Sequence, residues 1–155
     1  IHVYRARPDV QSIVHTHPPY SSALSMIGEP LRAAHMDTMA FFDDVAYLPH
    51  WPGVPFGDEE GEIITTAMGD KSAILLAHHG QLCAGNTVES ACVMGIFFEH
   101  AARIQLAAMA AGEIQEVDPE LGRLAHDWRH KPEAMNVTFR YFARAVLEQP
   151  AHPLS

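Results

Sequence analysis

The sequence predicts an α/β protein in which a mixed β-sheet is covered by helices on both faces. Two apolar stretches end in histidine at a chain breaker: Ser12-Ile13-Val14-His15-Thr16-His17-Pro18 and Ala73-Ile74-Leu75-Leu76-Ala77-His78-His79-Gly80. Both read as buried strands. Helical patterns lie between and after them without strict strand–helix–strand alternation. No Gly-rich phosphate loop follows either strand, which sets aside a dinucleotide-binding fold.

The elements follow in order. Residues 1–7 read as the end of a helix and stop at Pro8-Asp9, a breaker and turn pair. Residues 10–17 form a strand, expected to be central because it is apolar on both faces. Residues 19–27 form a helix with proline in its first turn and Tyr20, Ala23, Leu24 and Ile27 as its stripe. Gly28-Glu29-Pro30 closes it. Residues 31–35 are expected to be short and extended, and 41–48 a strand region ending at Pro49. Residues 50–57, with Pro52, Gly53, Pro55 and Gly57, form a loop. A helix over 58–68 has Asp58 as N-cap and acidic residues in its first turn, which complement the macrodipole. A strand over 72–78 and extended chain over 80–84 follow. A capping box at Asn86-Thr87-Val88-Glu89 then opens a long helix reaching Ala111, with Glu99 and Arg103 as an i, i+4 pair and Gly112 as its end signal. The apolar breadth of this helix points to burial between subunits. Residues 113–132 are polar and expected to wrap the surface. Residues 137–147 form the last helix, with Phe139, Phe142, Ala143 and Val146 at helical spacing.

The 155 residues fit a single domain over 1–148 with a loose tail at 149–155. A hydrophobic share of 48% and a charged share of 19% exclude a disordered chain. The net charge is −9 and no run of Lys or Arg occurs, so neither nucleic acid nor an anionic membrane surface is expected as partner. No apolar run has membrane-spanning length. Cys83 and Cys92 form no CxxC and follow no secretory signal, which fits reduced thiols and a cytoplasmic location. The first residue is Ile1 and the chain opens on a helix end, so an N-terminal portion is expected to be missing.

His15 and His17 are two residues apart, so in a strand they share a face. Two adjacent imidazoles are costly unless something bridges them, and a divalent metal does so. The alternative is a pair of core histidines bonded to backbone carbonyls. With a histidine from the second strand, three imidazoles at strand ends make a site with room for substrate, the pattern of a catalytic metal. His35 and His50 lie on segments after strands, where they either contact substrate or are polar loop residues. His2 reads as structural or as a partner behind the ligands, Asp43-Asp44 as a solvated turn, and Cys83 as a buried small residue. Trp128, Arg129 and Arg140 read as surface ion-pair residues or as a clamp for a substrate carboxylate.

A strand ending in HTHPP, followed by a strand ending in LLAHHG and a long helix, resembles the class II aldolase/adducin family over residues 1–111. That family includes fuculose- and rhamnulose-phosphate aldolases, ribulose-phosphate epimerase, metal-dependent decarboxylases of aromatic acids, and the non-catalytic adducin head. The resemblance implies a three-layer sandwich, assembly into tetramers, and a metal held by the two HxH histidines and the histidine directly before the glycine. Those are His15, His17 and His79, with His78 as neighbour. It places the catalytic acid/base carboxylate and the Gly-Asn and Ser-rich phosphate segments upstream of Ile1, so no residue here is assigned as acid/base. Fuculose-type aldolases carry a proton-transferring tyrosine after a histidine matching His35, and this chain has Met36 there. The Pro-rich stretch around His50-Trp51-Pro52 and the C-terminal stretch with Trp128, Arg129 and Phe139-Arg140 resemble the non-sugar branch, which includes the decarboxylases.

The implied function is that of a metal-dependent carbon–carbon lyase performing aldol-type cleavage through a stabilised enolate or enediolate. Decarboxylation of a hydroxylated aromatic or keto acid passes through the same kind of intermediate. Sugar-phosphate epimerisation and a non-catalytic adducin-like module are the remaining alternatives. Zinc is the expected metal, with manganese, iron or cobalt as alternatives. The expected partners are a small-molecule substrate and further copies of the chain, in a homotetramer.

Overall fold

The computed structural model describes residues 1–53 and 58–148, so the loop expected at 50–57 lies partly, and the tail expected at 149–155 wholly, outside the described residues. In chain order the elements are α1 (His2–Ala6), β1 (Ser12–Thr16), α2 (Pro19–Met26), a 3₁₀ helix (Met36–Phe41), β2 (Val45–Leu48) and α3 (Glu59–Met68). Then come β3 (Ala73–Leu76), β4 (Gly80–Gly85), α4 (Val88–Ala111), α5 (Pro119–Arg129) and α6 (Pro132–Leu147). The strands make one mixed sheet in the order β1-β4-β3-β2, with β2 and β3 parallel and the other pairs antiparallel.

The period of two along β3 explains why helices cover both faces. Ala73 and Leu75 enter a core with Leu24 of α2, Phe41, and Val93 and Phe98 of α4. Ile74 and Leu76 enter another with Val3 of α1 and Ile64 and Met68 of α3. Three layers result: α1 and α3, the sheet, then α2, α4 and α6. This is the fold class expected.

Several local expectations change. The strand at 10–17 is β1, and among the described residues it lies at the sheet edge, paired to β4 alone. It is apolar on both faces because both helical layers reach it: Ile13 packs into the α1/α3 core, and Val14 meets Gly95 of α4. Residues 31–34 lie outside the sheet. There the Gln105 side chain stands in for a ladder, accepting from Arg32 N at 2.7 Å and donating to the Pro30 carbonyl at 2.8 Å. The strand region expected from residue 41 starts only at Val45; Phe41 closes the 3₁₀ helix and packs edge-on against Phe98. Asp58 precedes α3 but makes no side-chain cap; its carboxylate pairs with His2 Nε2 at 3.1 Å, joining α1 to α3. The capping box of α4 is Thr87 with Ser90, one residue later than expected. Glu99 is not paired with Arg103. Its two oxygens accept from Tyr20 N (2.9 Å) and Ser21 N (2.8 Å), capping α2 from outside.

The stretch 113–132 contains α5, where no helix was expected. Asp118 caps it by accepting from the Glu120 and Leu121 amides, and Pro119 starts it. Its inward face is not apolar. Gly122 lies against the Phe42 ring, His126 meets Asp44, and Arg129 donates to Asp37 at 2.8 Å. The last helix begins at Pro132, earlier than expected, again with proline in the first turn. The breadth of α4 is used within the chain, against β4, α2, α6 and the 3₁₀ helix. Among the described residues no helix is long and apolar enough to cross a membrane. Cys83 and Cys92 are free, and burial pushes the Cys83 thiol well above its usual value, leaving it inert.

Candidate metal centre

The side chains of His15, His17 and His79 come together, each offering a nitrogen within 4.8 Å of the others. His15 sits on β1 and His17 one residue beyond its end, on the same face. His79 is the last residue of the turn between β3 and β4. That turn is tight: His79 N bonds the Leu76 carbonyl at 3.1 Å, and His78 takes a left-handed φ of 56°. The twist points the exposed His78 ring away from the cluster while His79 turns in. Gly80 lets the strands close. A Cβ there would lie 2.5 Å from the Thr16 carbonyl oxygen and 2.7 Å from His17 Cδ2.

The hydrogen bonding defines which nitrogens are available. His15 Nδ1 lies 2.9 Å from the Gln81 carbonyl oxygen. A carbonyl only accepts, so Nδ1 carries the proton, and in the neutral ring Nε2 is the nitrogen that presents a lone pair. His17 Nε2 lies 3.2 Å from His15 Nε2. Tetrahedral zinc with Zn–N bonds of about 2.0–2.1 Å needs donor separations of roughly 3.3 Å. The rings meet edge to face, with centroids 4.5 to 4.9 Å apart, so they converge on a point rather than stack. Burial, together with His15 and His17, holds the His79 imidazole below its usual value, against the pull of Glu60. Neutral, unprotonated nitrogens suit a cation. The residues present therefore fit a divalent metal.

The other sequence candidates fall outside the cluster. His35 caps the 3₁₀ helix by accepting from Asp37 N at 3.2 Å. His50 borders the same narrow cavity as Glu60 and His79. Arg129 is committed to Asp37 and lies over Phe97 and Trp128.

Sequence reasoning missed a second grouping, Asp44 with His126 and His130. Asp44 is no solvated turn residue; its side chain is 15% exposed. It accepts from Ser72 N at 2.8 Å and pairs with His126 Nε2 at 3.1 Å. Burial opposes its charge, but the bonds from His126 and Ser72 outweigh that and keep the carboxyl below its usual range. The bond to Asp44 holds His126 above the usual imidazole value, against burial and with help from Asp127. His130 Nε2 donates to the Ala40 carbonyl at 2.9 Å. Both Nε2 atoms already have acceptors, so the group is a staple tying α5 and its C-cap to Asp44, just before β2, and to the 3₁₀ helix. The i, i+4 spacing of the two histidines was its signal in the sequence.

Known proteins resemble this chain in both sequence and fold. The sequence profile described as Class II Aldolase and Adducin N-terminal domain matches residues 1–106. The decarboxylase NovR of Streptomyces niveus is 32% identical over 122 residues, covering 79% of this chain and 45% of that protein. The 5-methylthioribulose-1-phosphate/5-deoxyribulose-1-phosphate aldolase of Rhodospirillum rubrum is 37% identical over 117 residues, covering 74% of this chain and 49% of the aldolase. The solved L-fuculose 1-phosphate aldolase of Glaciozyma antarctica superposes with a TM-score of 0.81 at 33% identity, over 94% of this chain and 55% of that one. The chain thus spans about half the length of the curated relatives it matches. By sequence and by fold, it belongs to the class II aldolase and adducin family.

Proposed function

We propose that the chain forms the metal centre of a lyase that breaks a carbon–carbon bond in a small oxygenated substrate by aldol-type cleavage. The carrying observation is the convergence of His15, His17 and His79 with the His15 Nε2 lone pair directed inward by the Gln81 carbonyl. Three nitrogen donors favour zinc, with manganese, iron and cobalt as alternatives, and leave positions for substrate oxygens. Bound there, the cation supplies Lewis-acid stabilisation of the negative charge that bond cleavage leaves on an oxygen. The chain's own part is to fix the donors: the β1–β4 register holds His15, the Gly80 contact sets His17, and the tight turn aims His79. His15 and His17 are solvent-exposed, so a small molecule can reach them.

Decarboxylation is the second reading. The family resemblance places Met36, 70% exposed, where a fuculose-type aldolase carries its tyrosine. Decarboxylation needs a proton delivered to the new carbanion but no base to start it, and a relative bears that activity in its name. Metal analysis and product assays test both. One transition metal per chain, lost in His79→Ala and kept in His78→Ala, is expected. Aldehyde release from phosphosugars or hydroxy-keto acids supports the first reading; CO₂ release from hydroxylated aromatic acids supports the second. Full activity after complete chelation would refute the metal centre. Homotetramer assembly belongs to the same proposal, supported by the exposed Leu124, Trp128 and Tyr141 of α5 and α6. A monomer mass by light scattering would count against it.

A further inference from the structure

We propose that Glu60 orients His79 for the cation, its carboxylate accepting the Nδ1–H when Nε2 is committed to metal; the inference rests on the metal centre proposed above. Glu60 Oε1 is buried and has no hydrogen-bond partner among the described residues. An unpaired buried carboxylate oxygen is costly, so its retention calls for a donor. The His79 Nδ1 atom faces it at 3.7 Å. The cavity between them, bordered by Leu48, Trp51, Ile64 and Leu76, is too tight to hold a water molecule, so a bridging water does not explain the gap.

Helix chemistry does not account for Glu60 either. Glu59, Glu60 and Glu62 all lie in the first turn of α3, where acidic groups complement the macrodipole. Glu59 and Glu62 do so from the exposed surface, and Glu60 alone is drawn inward. Its oxygens do not join the donor set of His15, His17 and His79, so it is a positioning residue and not a ligand. The comparison with His15 is direct. There the ring nitrogen facing away from the cluster is already tied to the Gln81 carbonyl at 2.9 Å. His79 lacks such a tie until its Nδ1–H closes on Glu60. A charge-assisted bond of about 2.7–2.9 Å requires the ring to tilt by less than about 1 Å at Nδ1. A carboxylate behind a metal-bound imidazole fixes its tautomer and raises its basicity.

Zinc titration of the purified, metal-stripped protein against a competing chelator tests this. Glu60→Ala should weaken zinc binding about 10–100-fold, with Glu60→Gln between, because an amide oxygen still accepts the proton. Thermal unfolding of the metal-free protein supplies the second readout. Removing an unpaired buried carboxylate should leave the metal-free melting temperature unchanged or raised. Glu60→Ala binding zinc within about twofold of wild type would overturn the proposal. So would a metal-free Glu60→Ala that melts below wild type, since Glu60 would then be holding the fold and not His79. Wild-type protein that binds no zinc would refute the metal centre itself.

Discussion

Replacing Gly80 with alanine should disrupt the histidine cluster through one contact. The added Cβ would sit 2.5 Å from the Thr16 carbonyl oxygen and 2.7 Å from His17 Cδ2. Carbon approaches a carbonyl oxygen to about 3.3 Å, so β1 and β4 must part by roughly 0.8 Å at this point. The obstacle is backbone held in the ladder, Thr16 opposite Gln81, so no rotamer change relieves it. Overpacking of this kind costs about 1–3 kcal/mol. For a chain of this size that is a fall of roughly 3–10 °C in Tm. Metal–ligand distances tolerate only about 0.2 Å, so the same displacement takes His17 out of range. Zinc affinity should fall by about tenfold or more. Gly112→Ala is the control, because nothing lies within 4 Å of its built Cβ. Metal-free melting curves and zinc titrations of both variants check the argument. A Gly80→Ala protein matching wild type in both would refute it, and an equal loss at Gly112 would show that the contact is not the cause.

The staple at Asp44 should give stability a defined pH window. The part contributed by His126 is complete below 6.5 and is lost as pH rises through its raised folded value; the part from Asp44 is complete above 3.8 and is lost as pH falls through its lowered value. Denaturant midpoints of the metal-free protein should decline above about pH 6.5, and less steeply in His126→Gln; an identical decline in both proteins would rule the staple out as its source. Glu99→Ala should cost about 1–2 kcal/mol by uncapping α2, and Glu99→Gln about half that. Thermal melts check this, and an unshifted Glu99→Ala would mean that the two amides find other acceptors.

The parts of the fold and of the candidate site that were legible in the sequence are those governed by local period. His15 and His17 share a face because strand side chains alternate, and the histidine before Gly80 faces inward because a tight turn leaves little choice. The split of β3 into two cores follows from the same alternation. What was not legible depends on partners distant in the chain. An apolar strand can be central or an edge covered on both faces, and β1 is the second. The helix α5 escaped because it docks through Gly122, His126 and Arg129, residues that carry no hydrophobic signal. Its Leu121 and Leu124 have helical spacing but face solvent. Glu60 read as a dipole-complementing residue, and only its burial against His79 separates it from Glu59 and Glu62.

The long helix also acquires a role that its apolar composition hides. Gly95 and Glu99 lie at i and i+4, on one face of α4, and that face backs the HTHPP stretch. Gly95 allows Val14 of β1 to approach, and its carbonyl accepts from Gln81 Nε2 at 2.8 Å. The same Gln81 side chain donates to Thr16 Oγ1 at 3.1 Å, between the two histidines, while its backbone carbonyl orients His15. Four residues along, Glu99 holds the first amides of α2, just past Pro18-Pro19. The strand before His17 and the helix after it are thus both anchored to one face of α4. His17 needs this most. The rings of His15 and His79 face Gln81 and Glu60 from behind, and His17 has no such partner among the described residues. Its position comes from the backbone on either side of it, which gives the Glu99 carboxylate of α4 a part in placing His17.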